Sequence, residues 1–240
     1  MARGRFITLE GGEGAGKSTQ LGRLGERLRS LGLEVVATRE PGGSPGAEAI
    51  RELVLNGAAD RWSPVTETLL MYAARRDHIE RVIEPALARG AWVVCDRFAD
   101  STRAYQGAGG GADPTLIAAL EAQVVGPTRP DLTLVFDIPP ETGLARAQVR
   151  GGEMRFESKG LAFHQRLRDG FLAIVGAEPE RCMLIDATGS IEAVAAHVWA
   201  ADGVLYADDE PTAKFEEESG LWHDFDTGTP WPTVVLTPAG

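Results

Sequence analysis

Phe6-Ile7-Thr8-Leu9-Glu10-Gly11-Gly12-Glu13-Gly14-Ala15-Gly16-Lys17-Ser18-Thr19 reads as a short apolar strand, a glycine-rich loop and the start of a helix. The loop fits G-x-x-x-x-G-K-[ST], with Gly11, Gly16, Lys17 and Ser18 in the diagnostic positions. Its composition follows from its chemistry. Glycines let the backbone wrap closely around a polyphosphate and aim its N–H groups inward. A helix starting at Lys17 adds the positive end of its dipole. The Lys17 ammonium reaches the β- and γ-phosphates, and the Ser18 hydroxyl is placed for Mg²⁺. Gly12, Glu13, Gly14, Ala15 and Thr19 complete the stretch expected to hold ATP. A structural glycine-rich turn is the alternative, and the strand-to-helix context argues against it.

Outward from this loop, apolar runs alternate with helical patterns. Strands are predicted at Phe6–Glu10, Leu33–Thr38, Trp92–Asp96, Leu132–Asp137 and Cys182–Ile185. Helices are predicted at Lys17–Leu31, Ala47–Leu55, Glu67–Ala88, Pro114–Val124, Glu141–Arg150, Phe163–Val175 and Ile191–Ala200. Short buried strands between helices imply an α/β fold of the P-loop NTPase type. Its three layers would be a five-stranded parallel sheet with helices on both faces. Ligands in such folds sit beyond the carboxyl ends of the strands. Gly11–Thr19, Arg39–Gly43 and Asp96-Arg97 all follow predicted strands.

The 240 residues suffice for one large domain with a tail. No apolar run reaches the length of a membrane span, and the start of the chain reads as a lead into a strand, not as a signal peptide. Cys95 and Cys182 show no metal or redox spacing and sit beside apolar residues, as buried thiols in a reducing cytoplasm do. The net charge of −11 argues against a nucleic-acid binder. That charge is uneven: nine of the 35 acids but one of the 24 bases fall in 202–240, leaving the rest close to balance. The expected organisation is therefore a compact domain over 1–201 and an acidic, flexible tail over 202–240.

Among phosphate-loop proteins, a GTPase normally carries N-K-x-D, which is missing here, and motor ATPases place two acids after an apolar strand. Here Trp92-Val93-Val94-Cys95 ends in Asp96-Arg97. An acid followed by arginine suits metal positioning plus a clamp on a transferred phosphate. A second cationic cluster, Arg146, Arg150 and Arg155, surrounds Gly151-Gly152. Arginine forks contact several phosphate oxygens at once, and glycines allow a segment to close over the site.

Several ordered segments make the chain resemble the bacterial thymidylate (dTMP) kinases over residues 5–201. They are the phosphate loop, Thr38-Arg39-Glu40-Pro41-Gly42-Gly43, Tyr72-Ala73-Ala74-Arg75, Asp96-Arg97-Phe98 and Ser101-Thr102-Arg103-Ala104-Tyr105-Gln106-Gly107. The resemblance implies ATP + dTMP → ADP + dTDP with Mg²⁺, and a homodimer. It implies that Glu13 meets the deoxyribose 3′-OH and that Arg97 grips the acceptor phosphate. Arg75 and Gln106 would read the thymine edge, with Thr102 beside them. Tyr105 would pack against the sugar, while Arg39, Glu40 and Arg51 line the acceptor pocket. Ser18 and Asp96 would position the metal. With no extra arginine in the loop, the chain resembles the subgroup whose lid supplies that charge, through Arg150 and Arg155. The family usually has phenylalanine on the base where this chain has Met71. Adjacent helical residues point about 100° apart, so at most one of Met71 and Tyr72 faces the base; the ungapped register with Arg75 favours Met71. Other readings are a related kinase acting on another nucleotide or nucleoside, and a nucleotide-gated binding protein.

Overall fold

In the computed structural model, residues 3–58, 60–150, 155–202, 213–216 and 221–224 are described. The apolar runs form strands β1 (Phe6–Gly11), β2 (Val35–Arg39), β3 (Trp92–Asp96), β4 (Leu132–Asp137) and β5 (Cys182–Asp186). They stand in the order β2-β3-β1-β4-β5, every adjacent pair parallel. The helices are α1 (Lys17–Ser30), α2 (Pro45–Leu55), α3 (Pro64–His78), α4 (Glu84–Ala88), α5 (Ala99–Thr102), α6 (Pro114–Val124), α7 (Pro140–Arg150), α8 (Leu161–Ala177) and α9 (Ile191–Asp202).

Strand side chains alternate between two cores, as a period of two requires. Ile7, Leu9, Val94, Leu134 and Phe136 pack with Leu24 and Leu28 of α1 and Val194 and Val198 of α9. On the opposite face Phe6, Val93 and Cys95 pack with Tyr72, Ile79 and Ile117, and Val135 packs with Leu167 and Phe171 of α8. These three layers are the arrangement of the P-loop NTPases. Thr8 and Glu10 share the Phe6 face of β1 and are fully buried. The Thr8 hydroxyl is satisfied by Thr133 at 2.8 Å. Both cysteines are free and buried.

Three stretches differ from the sequence expectation. The helix predicted over 67–88 begins at Pro64, because Ser63 Oγ accepts from Thr66 N at 3.2 Å and proline suits the first turn. It then widens into a π-helical turn, Ile79–Ile83, before α4. Pro85 has no N–H to give to the fourth carbonyl back, and the Glu84 N–H reaches Ile79 O, one residue further than an α-helix requires. Second, α5 continues as a π-helical segment, Arg103–Gly109, where no helix was predicted. Its glycines masked it, since glycine disfavours helices. Tertiary packing pays for the exception: Gly170 of α8 faces Ala104 and Ala108, leaving no room for a larger side chain. Third, Ala213–Glu216 pairs antiparallel with Leu221–Asp224 inside the acidic segment, where no strands were expected.

Candidate active site

At the carboxyl end of β1 the loop turns back over the sheet edge. Gly14 has φ +66°, and a Cβ there would overlap the Gly143 carbonyl oxygen, so glycine is required. Lys17 is 6% exposed and donates to Gly11 O at 3.1 Å and Gly12 O at 2.7 Å. Burial, and then neighbouring Arg97, push its ammonium down to about 8. A polyphosphate in the loop would favour the charged form again.

Ser18, on the first turn of α1, donates to Asp96 Oδ2 at 2.7 Å, joining the phosphate loop to the end of β3. Asp96 Oδ1 is buried without a hydrogen-bond partner. Such an orphaned acceptor is costly unless something electropositive meets it. A hydroxyl and a carboxylate are hard oxygen donors, as Mg²⁺ prefers. Among the described residues no group of three or more His, Cys, Asp or Glu could hold a metal ion. The pair therefore fits an ion held largely by substrate phosphates and water.

Arg97 has φ +73°, a left-handed conformation unusual for a non-glycine residue. Four contacts hold it: its Nη1 donates to Gly11 O at 2.9 Å and to Ser101 Oγ at 3.3 Å, its Nη2 to Glu13 Oε1 at 3.2 Å, and its guanidinium lies 4.7 Å from the Tyr105 ring centre. Tyr105 donates its hydroxyl to the same Glu13 oxygen at 2.6 Å. Beneath them Glu10 accepts from Phe98 N at 2.7 Å and from Ser101 Oγ at 2.5 Å, fixing the turn that presents Arg97. Burial, with nearby Asp100, pushes Glu10 up to about 7. The sequence reading assigned Glu10 no role; an acid in a buried strand directly before the loop was its signal.

The other end of the cleft is built on α3. Arg75, 3% exposed, donates to Glu40 Oε2 at 2.8 Å, Thr102 Oγ1 at 3.1 Å and Phe98 O at 2.8 Å. The second Glu40 oxygen faces His78 Nδ1 at 3.0 Å. Gln106 Nε2 donates to Glu67 at 2.9 Å. Met71 lines the cleft. Tyr72 points the other way, 1% exposed in the core, with its hydroxyl 3.4 Å from Ile117 O. Arg51 donates to Pro41 O at 2.6 Å, and Arg39 pairs with Glu48 at 3.2 Å near the rim.

One cavity of about 570 Å³ runs between these ends, within the range of roughly 300–1,000 Å³ usual for small ligands. Glu13 through Thr19, Arg39, Glu40, Arg51, Met71, Arg75, Asp96, Arg97, Thr102, Tyr105, Gln106 and Arg155 all line it. Gly11 and Gly12 do not line it; their carbonyls accept from Lys17.

Of the arginines grouped from sequence, Arg146 and Arg155 meet different neighbours. Arg146 donates to the carbonyls of Ala187 and Thr188, holding the loop after β5. Arg155 lines the cleft, but its Nη1 meets Glu67 at 2.5 Å and Val54 O at 3.0 Å, so its charge is neutralised on the α2–α3 side. The Arg150 side chain and residues 151–154 lie outside the described residues. Phe156, which the sequence reading did not select, packs edge-on against Tyr105 at 5.5 Å and lines the cleft.

The thymidylate kinase family model matches residues 9–198. A thymidylate kinase of Caulobacter vibrioides is 69% identical over 198 residues, covering 82% of this chain and 95% of the relative. One from Nitrobacter hamburgensis is 54% identical over 213 residues, covering 87% and 93%. The crystal structure of thymidylate kinase from Ehrlichia chaffeensis superposes with a TM-score of 0.67 at 36% identity, covering 82% of this chain and 97% of that one.

Proposed function

The chain belongs to the thymidylate kinase family, and from that premise we propose that it transfers the γ-phosphoryl group of ATP to dTMP, giving ADP and dTDP for dTTP synthesis. The observation that carries the reading is the cleft itself. Its phosphate loop and its buried Arg75–Gln106 end are joined by Arg97, where donor and acceptor phosphates would meet. The test is ADP formation by the purified chain with ATP and Mg²⁺ across dTMP, dUMP, dCMP and thymidine. Release that depends on dTMP is expected; release equal without acceptor would overturn the assignment.

Each side chain has a role in this reading. The loop amides from Gly11 to Thr19 and Lys17 hold the phosphates of ATP. Ser18 and Asp96 would hold Mg²⁺, which would neutralise charge on the transferring group. Arg97 bridges acceptor phosphate and migrating phosphoryl, and Glu13, already aligned by Tyr105, receives the 3′-OH. Arg39, Glu40 and Arg51 shape the acceptor side, and Arg75, Thr102 and Gln106 the base side. Arg150 and Arg155 serve as lid arginines. For Arg155 that role requires release from Glu67 when the cleft fills.

Met71 covers the base. Met71→Ala is expected to raise the dTMP KM about two- to tenfold, as loss of a sulfur–aromatic contact predicts. Tyr72→Phe should change it less, because its hydroxyl contact is long. Steady-state kinetics decide the order, and the reverse order would put the wrong residue on the base.

A homodimer is supported by apolar Leu53 of α2 and Val65 and Leu69 of α3, each exposed by more than two-fifths. A cytoplasmic location is supported by the two buried free thiols, and no helix of the described residues is long and apolar enough to cross a membrane. The domain boundary near 201 is supported by Ala201, 2% exposed at the end of the core. A chain ending at Ala201 is expected to keep kcat and KM within about twofold, the acidic segment having too few apolar residues to form a core. An inactive or insoluble truncation would assign that segment to the catalytic fold.

A further inference from the structure

Glu67 stands in the first turn of α3, where an acid usually faces solvent and complements the helix dipole. Here the side chain is 7% exposed and both oxygens are engaged on the cleft side: Oε1 accepts from Gln106 Nε2 at 2.9 Å, and Oε2 meets Arg155 Nη1 at 2.5 Å. Gln106 and Arg155 line the cleft; Glu67 stands behind them. An ionised carboxylate acts only as an acceptor, whether or not Arg155 stays beside it. The Gln106 amide must therefore turn its NH₂ end toward Glu67. Its carbonyl Oε1 is the end left for a ligand.

We propose that Glu67 is a specificity-determining positioning residue. By fixing the Gln106 amide, it makes the base reader a hydrogen-bond acceptor. A pyrimidine whose N3 carries a hydrogen can donate to that oxygen. One whose N3 is a bare lone pair places two acceptors face to face. The inference rests on the dTMP kinase reading, and it adds the residue behind the pocket that sets which edge is accepted. An amide free to rotate could satisfy either edge and would discriminate poorly. The buried acceptor-only partner removes that freedom.

The experiment compares kcat/KM for dTMP and 5-methyl-dCMP, which share the methyl group and differ at the base edge. Wild type should prefer dTMP by about tenfold or more, the penalty range for an unmade buried hydrogen bond. Glu67→Gln can offer either a donor or an acceptor to Gln106, so the preference should shrink at least about fivefold. Glu67→Asp keeps an acceptor-only partner and should retain most of the preference. A merely structural role would lower both substrates together and leave the ratio unchanged. An unchanged ratio in Glu67→Gln would overturn the proposal, as would wild type that uses both substrates equally. Absence of any turnover of dTMP by wild type would instead overturn the reading it rests on. A readout that needs no change at position 67 is hydrogen exchange of the Gln106 side-chain amide, assigned through its loss in Gln106→Met. Slow exchange in the full chain is expected, and exchange at the rate of an exposed amide would overturn the proposal.

Discussion

Lys17→Ala and Arg97→Ala are each expected to lower kcat by about 10²–10³, the usual loss when one preorganised charge is removed from a transfer site. Lys17 already sits inside the loop, held by Gly11 and Gly12 carbonyls, so little reorganisation separates it from a phosphate. Arg97 is held in a strained backbone conformation by Gly11, Glu13 and the Tyr105 ring. Strain kept at a functional side chain is consistent with a geometry required for transfer. Neither side chain belongs to an apolar core cluster, so circular dichroism of both variants should match wild type. The diagnostic pattern is loss in kcat larger than any rise in KM, because the charges act on the transition state. Wild-type turnover in either variant would remove the phosphate-transfer role.

Arg75→Met should destabilise the fold by about 3–5 kcal/mol, the cost of breaking one side of a buried ion pair. The guanidinium binds three elements at once: Glu40 after β2, Phe98 after β3 and Thr102 of α5. Removing it leaves the Glu40 carboxylate, 5% exposed, with His78 as its remaining partner in that contact group. Lysine is no substitute, since a single ammonium cannot span those acceptors. Urea unfolding of the full chain measures the effect directly. A change below about 0.5 kcal/mol would show that the Arg75–Glu40 pair contributes little, and Arg75 would then be a ligand-reading residue alone.

What the sequence disclosed follows from how local each feature is. The phosphate loop is written in glycines whose positions the backbone dictates, so Gly14 and Lys17 could be read without coordinates. The strands were legible because a parallel sheet covered on both faces leaves continuous apolar runs. The Asp96-Arg97 pair was legible as chemistry at a strand end, and Arg75, Tyr105 and Gln106 through resemblance. The residues that escaped are those whose meaning lies across the chain. Glu10 is separated by 88 positions from Phe98, whose N–H it holds, and an acid in a strand gives no hint of that partner. Glu67 looks like an ordinary acid at a helix start until Gln106 and Arg155 are seen against it. Arg146 and Arg155 are near in sequence, yet α7 and the segment after it carry them to different neighbours. The Arg103–Gly109 segment was hidden because its glycines lower helix propensity while its packing against α8 requires small residues.

One cleft that receives both ATP and dTMP passes the γ-phosphoryl group to dTMP and not to water. Following the radiolabelled γ-phosphate of ATP in the presence of dTMP and Mg²⁺ measures that choice. The label is expected in dTDP, one for each ADP formed. Label released as inorganic phosphate, or label retained in ATP while dTMP is present, would contradict it.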